Sequence, residues 1–161
     1  KKLKHYMNLD KSNLWKSMKP NTENTSKTLI LTVGLPRSSK TTWARNIGYP
    51  IVNPDSIRLV LHGQPFISEA EPLVWLSAKY MVKALFLAGH DTVVLDATNT
   101  TERGRREWLS KDWHTSYALF RATPEICEER ALANGQEYLL PVIRRMAKQL
   151  EWPTTNVVYD S

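Results

Sequence analysis

At 161 residues with 42% hydrophobic residues, the chain has the size and apolar content of one compact domain, which excludes a disordered polymer. The formal charge of +6 suggests an acidic partner, but residues 1–27 hold seven of the 22 basic residues and only two of the 16 acidic ones, so the remainder is nearly neutral. Cys127 is the only cysteine, which excludes an intrachain disulfide, and no stretch is apolar and long enough to span a membrane. No apolar run follows Lys1-Lys2-Leu3-Lys4, so no signal peptide is expected, and the expected compartment is cytoplasmic.

Residues 1–27 read as a basic arm and linker, with Met7, Leu14, Trp15 and Met18 spaced for one side of a short helix. A domain over 28–161 follows. Thr28–Val33 is a continuous apolar, β-branched run, as a strand buried on both faces requires. Lys40–Ile47 reads as helix, Ile51–Asn53 as a short strand, and Pro54–Leu61 as a helix opened by proline. Glu71–Ala88 has helical periodicity and stops at Gly89. Thr92–Leu95 is a third strand, Glu102–Lys111 a helix and Ser116–Phe120 a fourth strand. Pro124–Asn134 and Pro141–Glu151 are the last helices. The alternation predicts an α/β fold of the P-loop NTPase type, a parallel sheet of about four to five strands sandwiched by helices.

The first strand runs into Gly34-Leu35-Pro36-Arg37-Ser38-Ser39-Lys40-Thr41-Thr42, which matches the phosphate-binding pattern G-x-x-x-x-G-K-[ST] except that Ser39 stands at the second glycine. In such a loop the backbone N–H groups converge on the phosphates and the helix N-terminus adds its dipole. Lys40 would then reach the β- and γ-phosphates of ATP, and the Thr41 hydroxyl would join the Mg²⁺ shell. If the Ser39 position needs a glycine-type backbone, serine there costs roughly 1–3 kcal/mol.

The acceptor side is expected at the ends of the next strands. Asp55 and Arg58 lie three residues apart and so share a helix face at the carboxyl edge of the sheet. A carboxylate there can take the proton of an attacking hydroxyl, and an arginine can hold an acceptor phosphate. Asp96, at the end of the third strand, is placed to orient Mg²⁺. Thr98 and Asn99 would add hydrogen-bonding groups, and Arg103, Arg105 and Arg106 follow on the next helix, of which one or two would face the phosphates or the acceptor.

These segments together resemble the polynucleotide-kinase-like P-loop kinases, such as the kinase domain of bacteriophage 5′-hydroxyl polynucleotide kinase. The resemblance rests on the Gly34–Ala44 loop, Asp55-Ser56-Ile57-Arg58, Asp96-Ala97-Thr98-Asn99 with its arginine helix, and Pro141–Met146, and it runs from about Lys27 to Pro153. It implies Asp55 as general base, Arg58 as acceptor-phosphate clamp, a donor site at Lys40 and Thr41, and a mobile lid after Arg130. Arg130 is the one arginine available to that lid, because Ala131–Leu140 carries no basic residue, and Arg144 or the 103–106 arginines are the candidates to compensate.

The leading expectation is an enzyme that moves the γ-phosphate of ATP to a hydroxyl of nucleic acid, DNA in the first instance. Three alternatives stay open: a phage-type kinase of a hydroxymethyl pyrimidine within DNA, a small-molecule kinase, and a non-catalytic nucleotide- or nucleic-acid-binding module. The four histidines have no metal-ligand spacing with Cys127, which is expected to pack. Trp75 is the single tryptophan singled out as a substrate contact.

Overall fold

The computed structural model describes residues 26–161, so the helix expected in the N-terminal arm lies outside the described residues. Strand β1 (Thr28–Gly34) is the centre of the sheet. It leads into α1 (Lys40–Asn46), β2 (Ile51–Val52) and α2 (Pro54–His62). Then come α3 (Glu71–Leu87), β3 (Thr92–Leu95), α4 (Glu102–Arg106) and β4 (His114–Phe120). The chain closes with α5 (Pro124–Ala133), α6 (Leu140–Gln149) and β5 (Val157–Asp160).

All five strands are parallel, in the order β2-β3-β1-β4-β5. β1 pairs Thr28 with Thr92 on one side and with His114 on the other, so it is covered on both edges as well as both faces. Its alternate residues serve two cores. Leu29 and Leu31 join Val93, Leu95 and the α3 residues Val74, Ala78, Val82 and Phe86 on one face. Ile30 joins Val94, Ala118, Phe120 and Ala44 of α1 on the other. Helices on both faces of an all-parallel sheet follow from that double burial. A third cluster, Leu35, Cys127, Ala131 and Ile143, seats α5 and α6 beneath the loop after β1.

Proline and capping residues open the helices as their chemistry requires. The Asn53 side chain accepts from Ser56 N ahead of Pro54, and Thr123 accepts from Ile126 N ahead of Pro124. Most boundaries differ by one or two residues from those read in the sequence, and three features differ for a physical reason. The helix expected over Glu102–Lys111 stops at Arg106, because the Trp108 carbonyl accepts from the Trp113 indole and the Thr115 hydroxyl instead of a helical N–H. Strand β4 begins at His114, two residues before the expected Ser116, because His114 N donates to Lys27 O and extends the ladder. β5 was not anticipated as a particular segment: its apolar run, Val157-Val158-Tyr159, is only three residues long, and all four strand residues are exposed.

Candidate active site

The carboxyl ends of β1, β2, β3 and β4 deliver one loop each to the same edge of the sheet, and the chain switches sides at β1, where an open parallel sheet forms its ligand crevice. Gly34 is needed where β1 ends: a Cβ there would sit 2.7 Å from the Phe120 carbonyl oxygen and 2.8 Å from Ser38 Oγ. Its N–H donates to the Thr98 carbonyl at 3.0 Å, which ties the loop to the neighbouring strand end. Leu35, expected in the phosphate loop, buries its side chain in the third core cluster. The loop therefore hangs from the core by an apolar anchor.

Ser39 takes up φ 76° and ψ 12°, the left-handed conformation that glycine occupies without penalty, and Arg37 has φ 67°. The strain expected at Ser39 is thus present in the backbone. Its hydroxyl is engaged: Arg130 Nη1 donates to Ser39 Oγ at 3.2 Å and to the Arg37 carbonyl at 3.1 Å. Arg130 is brought to the phosphate loop from α5 across 91 residues of sequence.

Lys40 is 7% exposed, and its ammonium donates to the Leu35 carbonyl and, at 3.2 Å, to Ser38 Oγ. Burial lowers its pKa to about 8, against the opposing pull of Asp96, Cys127 and Asp55.

Asp96 is 4% exposed and its Oδ2 accepts from Thr41 Oγ1 at 2.7 Å and from Asn53 Nδ2 at 2.9 Å. Among the described residues no three His, Cys, Asp or Glu side chains form a metal cage. A hydroxyl and one carboxylate are nevertheless the hard oxygen donors that suit Mg²⁺ shared with a nucleotide, since that ion keeps much of its water and takes few protein ligands. Asn53 went unnoticed in the sequence as a site residue. Its Oδ1 caps α2 while its Nδ2 holds Asp96, so one side chain connects the helix that carries Asp55 to the carboxylate beside Thr41. The Asn-Pro-Asp run before a helix is the signal that points to the cap.

On α2, Arg58 Nη1 donates to Asp55 Oδ1, and Arg58 also pairs with Glu71, the first residue of α3. The Trp75 indole N–H donates to Glu71 Oε2 at 3.2 Å. The Thr98–Asn99 edge braces the strand ends: the Asn99 side chain donates to the Thr32 carbonyl at 2.8 Å and its own carbonyl accepts from Arg105. Arg105 is buried, stacks over Tyr117 and is not gathered with the phosphate loop, and burial lowers its pKa. Arg106 pairs with Glu102 at the surface, and Arg103 is exposed on the same short helix. Arg144 pairs with Glu128 at the surface. Cys127 packs in the core, and burial pushes its thiol up.

Beside the phosphate loop lies an open cavity of about 590 Å³, lined by Thr42, Trp43, Phe120, Arg121, Ile126 and Tyr159. Trp43, Phe120 and Tyr159 pack edge-on or tilted, with ring centroids 5.2–5.5 Å apart. Arg121 is held by two bonds to Asp160 and lies 4.6 Å over the Trp152 ring. Tyr159 and Asp160 belong to β5, so the wall they build was not readable before that strand was known. Among the described residues no helix is long and apolar enough to cross a membrane.

The comparisons with known proteins agree with this fold. A family model described as an AAA domain matches residues 29–152. A chain in the structure of a Pnkp1/Rnl/Hen1 complex superposes with a TM-score of 0.60 at 27% identity, over 68% of this chain and 40% of that one. A gluconokinase from Sinorhizobium meliloti has a TM-score of 0.57 at 20% identity, over 85% of this chain and 84% of that one. Kti12 from Chaetomium thermophilum, solved with ADP-AlF3, has a TM-score of 0.58 at 19% identity, over 83% of this chain and 88% of that one. The latter two likenesses are of fold. No curated protein sequence matches the chain.

Proposed function

The chain belongs to the AAA-domain family whose model spans residues 29–152, a family of P-loop kinases, and from that premise we propose that it transfers the γ-phosphate of ATP to a hydroxyl of a nucleic acid. The observation that carries the proposal is Asn53, which joins the cap of the Asp55 helix to Asp96 beside Thr41. Nucleotide binding alone gives no reason to tie the helix that carries Asp55 to the carboxylate beside Thr41. Phosphoryl transfer does.

In the proposed reaction Asp55 accepts the proton of the acceptor hydroxyl, whose oxygen attacks the γ-phosphorus while the bond to the β–γ bridging oxygen breaks and ADP leaves. Lys40 and the loop N–H groups hold the β- and γ-phosphates, and Arg130, already against Ser39, approaches the same charge from the α5 side. Thr41 and Asp96 would hold Mg²⁺, which when bound neutralises charge on the phosphates. The aromatic wall of Trp43, Phe120 and Tyr159 would take the nucleoside. The strain at Ser39 is part of the folded backbone, so in this reading it lowers stability rather than nucleotide affinity.

Nucleic acid is favoured as acceptor by the 27% identity to a chain of the Pnkp1/Rnl/Hen1 assembly, an RNA repair complex. This chain spans less than half of those chains, so their whole activity is not carried over. A terminal 5′-hydroxyl is what the polynucleotide-kinase resemblance implies; a hydroxymethyl pyrimidine within DNA is the other nucleic-acid hydroxyl. Incubation with γ-labelled ATP and 5′-hydroxyl DNA, 5′-hydroxyl RNA, hydroxymethylated duplex and small alcohols tests the proposal. Label is expected in a nucleic acid; label in alcohols alone, or in none of them, contradicts it.

A further inference from the structure

Arg58 is the residue that the family resemblance gives to an acceptor phosphate, and three of its five N–H donors are already engaged. Its Nε donates to Glu71 Oε1 at 2.7 Å and its Nη2 to Glu71 Oε2 at 2.7 Å, the parallel two-bond geometry that a phosphate would itself adopt. Nη1 donates to Asp55 Oδ1. This is not a loose surface pair, because the Arg58 and Glu71 side chains are only 12% and 16% exposed. The Trp75 indole adds a third hydrogen bond to Glu71, and the guanidinium lies 5.9 Å over the Trp75 ring. Glu71 also opens α3, where a helix N-terminus favours an anion. The Arg58 hydrogen bond holds the Glu71 carboxyl below the usual carboxylate range, and Glu71 raises Arg58 in return, so both stay charged.

The charge balance points the same way. Two carboxylates, Asp55 and Glu71, face one guanidinium, so the cluster is negative before an acceptor arrives. An incoming phosphate would have to displace a mostly buried carboxylate or settle for the two remaining Nη donors, directly beside Asp55. We infer that Glu71 determines acceptor specificity: it occupies the Arg58 edge that an acceptor phosphate would take, leaving Arg58 to position Asp55 and favouring an acceptor hydroxyl with no phosphate beside it. The inference rests on the kinase reading above and names the class of acceptor for that same site. A hydroxyl on an uncharged group, such as a hydroxymethyl carried by a base, fits it; the end of a phosphodiester chain does not.

Calorimetric titration of the full chain with thymidine and thymidine 3′-monophosphate tests this without requiring turnover. The wild-type protein is expected to bind the two within about threefold of each other. Glu71→Gln, and Glu71→Ala as a second variant, should bind the 3′-monophosphate about tenfold tighter than wild type, and adding Arg58→Ala should remove the gain. The inference is overturned if the wild type already prefers the phosphate about tenfold through Arg58, if neither Glu71 variant gains, or if the gain survives loss of Arg58. Labelling with γ-labelled ATP on the same proteins keeps the two readings apart. Absence of label in every acceptor would sink the kinase proposal and leave the binding comparison standing.

Discussion

The two sides of the crevice are built by different means. On the donor side the parts are backbone and buried side chains: Gly34 wedged against Phe120, Leu35 anchored in the core, and Ser38, Lys40 and Asp96 all at least nine-tenths buried. On the acceptor side Asp55 is 83% exposed and depends on side-chain pairing with Arg58, itself clasped by Glu71. Exposed Leu59, Leu61, Phe66, Leu73 and Leu76 surround that side. A polyphosphate must be met by many N–H groups at fixed places, which only a backbone braced by a core provides. A hydroxyl needs one base and some guidance, which in the proposed reaction side chains on two helices would supply. The donor side is therefore rigid by construction and the acceptor side is adjustable by single substitutions.

The contrast can be broken or sharpened at several points. The largest expected effect is at Lys40: Lys40→Ala should lower transfer by about 10³-fold, since a buried cation aimed at the transferring phosphoryl group is lost, and steady-state kinetics with labelled ATP reads it.

The next effect is of pH. Because burial lowers Lys40 to about 8 and bound phosphates favour its charged form, ATP binding above that pH must take up a proton. Affinity should fall by up to about tenfold per pH unit between about 8 and the ordinary lysine value, which calorimetry in buffers of different ionisation enthalpy measures. Stability of the unliganded protein runs the opposite way. In that window the unfolded chain keeps a proton that folded Lys40 has released, so this contribution raises stability as pH rises and is flat below about 8.

A smaller effect is expected at Ser39. Ser39→Gly should relieve the left-handed strain and stabilise the protein by about 1–2 kcal/mol in denaturant unfolding, less the value of the Arg130 contact. Smallest is Arg121→Ala on the cavity wall. Its pairing with Asp160 is half-exposed, so ATP affinity should weaken only about two- to fivefold with turnover unchanged.

The same contrast explains what could be read without the structure. The phosphate loop was legible because its demands are local: a buried strand, a glycine, a lysine and a hydroxyl at fixed spacing. The left-handed backbone at Ser39 was foreseeable from that pattern alone. Asp55 and Arg58 were legible as an i, i+3 pair, but Glu71 was not, because it meets Arg58 across 13 residues and two helices. Asn53 hid in a cap, and Tyr159 in a strand whose apolar run is only three residues long. Arg105 misled in the other direction. It looked like one of three equivalent arginines, whereas the turn at Trp108 buries it against Tyr117 and Asn99.

One measurement reaches the central claim, that a rigid nucleotide site is made into a kinase by a carboxylate on the adjustable side. ATP affinity and phosphoryl transfer are to be measured on the same Asp55→Asn protein. Affinity should stay within about twofold of wild type while transfer falls by about 10²–10⁴-fold, the span of a lost general base. Transfer that survives in Asp55→Asn would contradict the account.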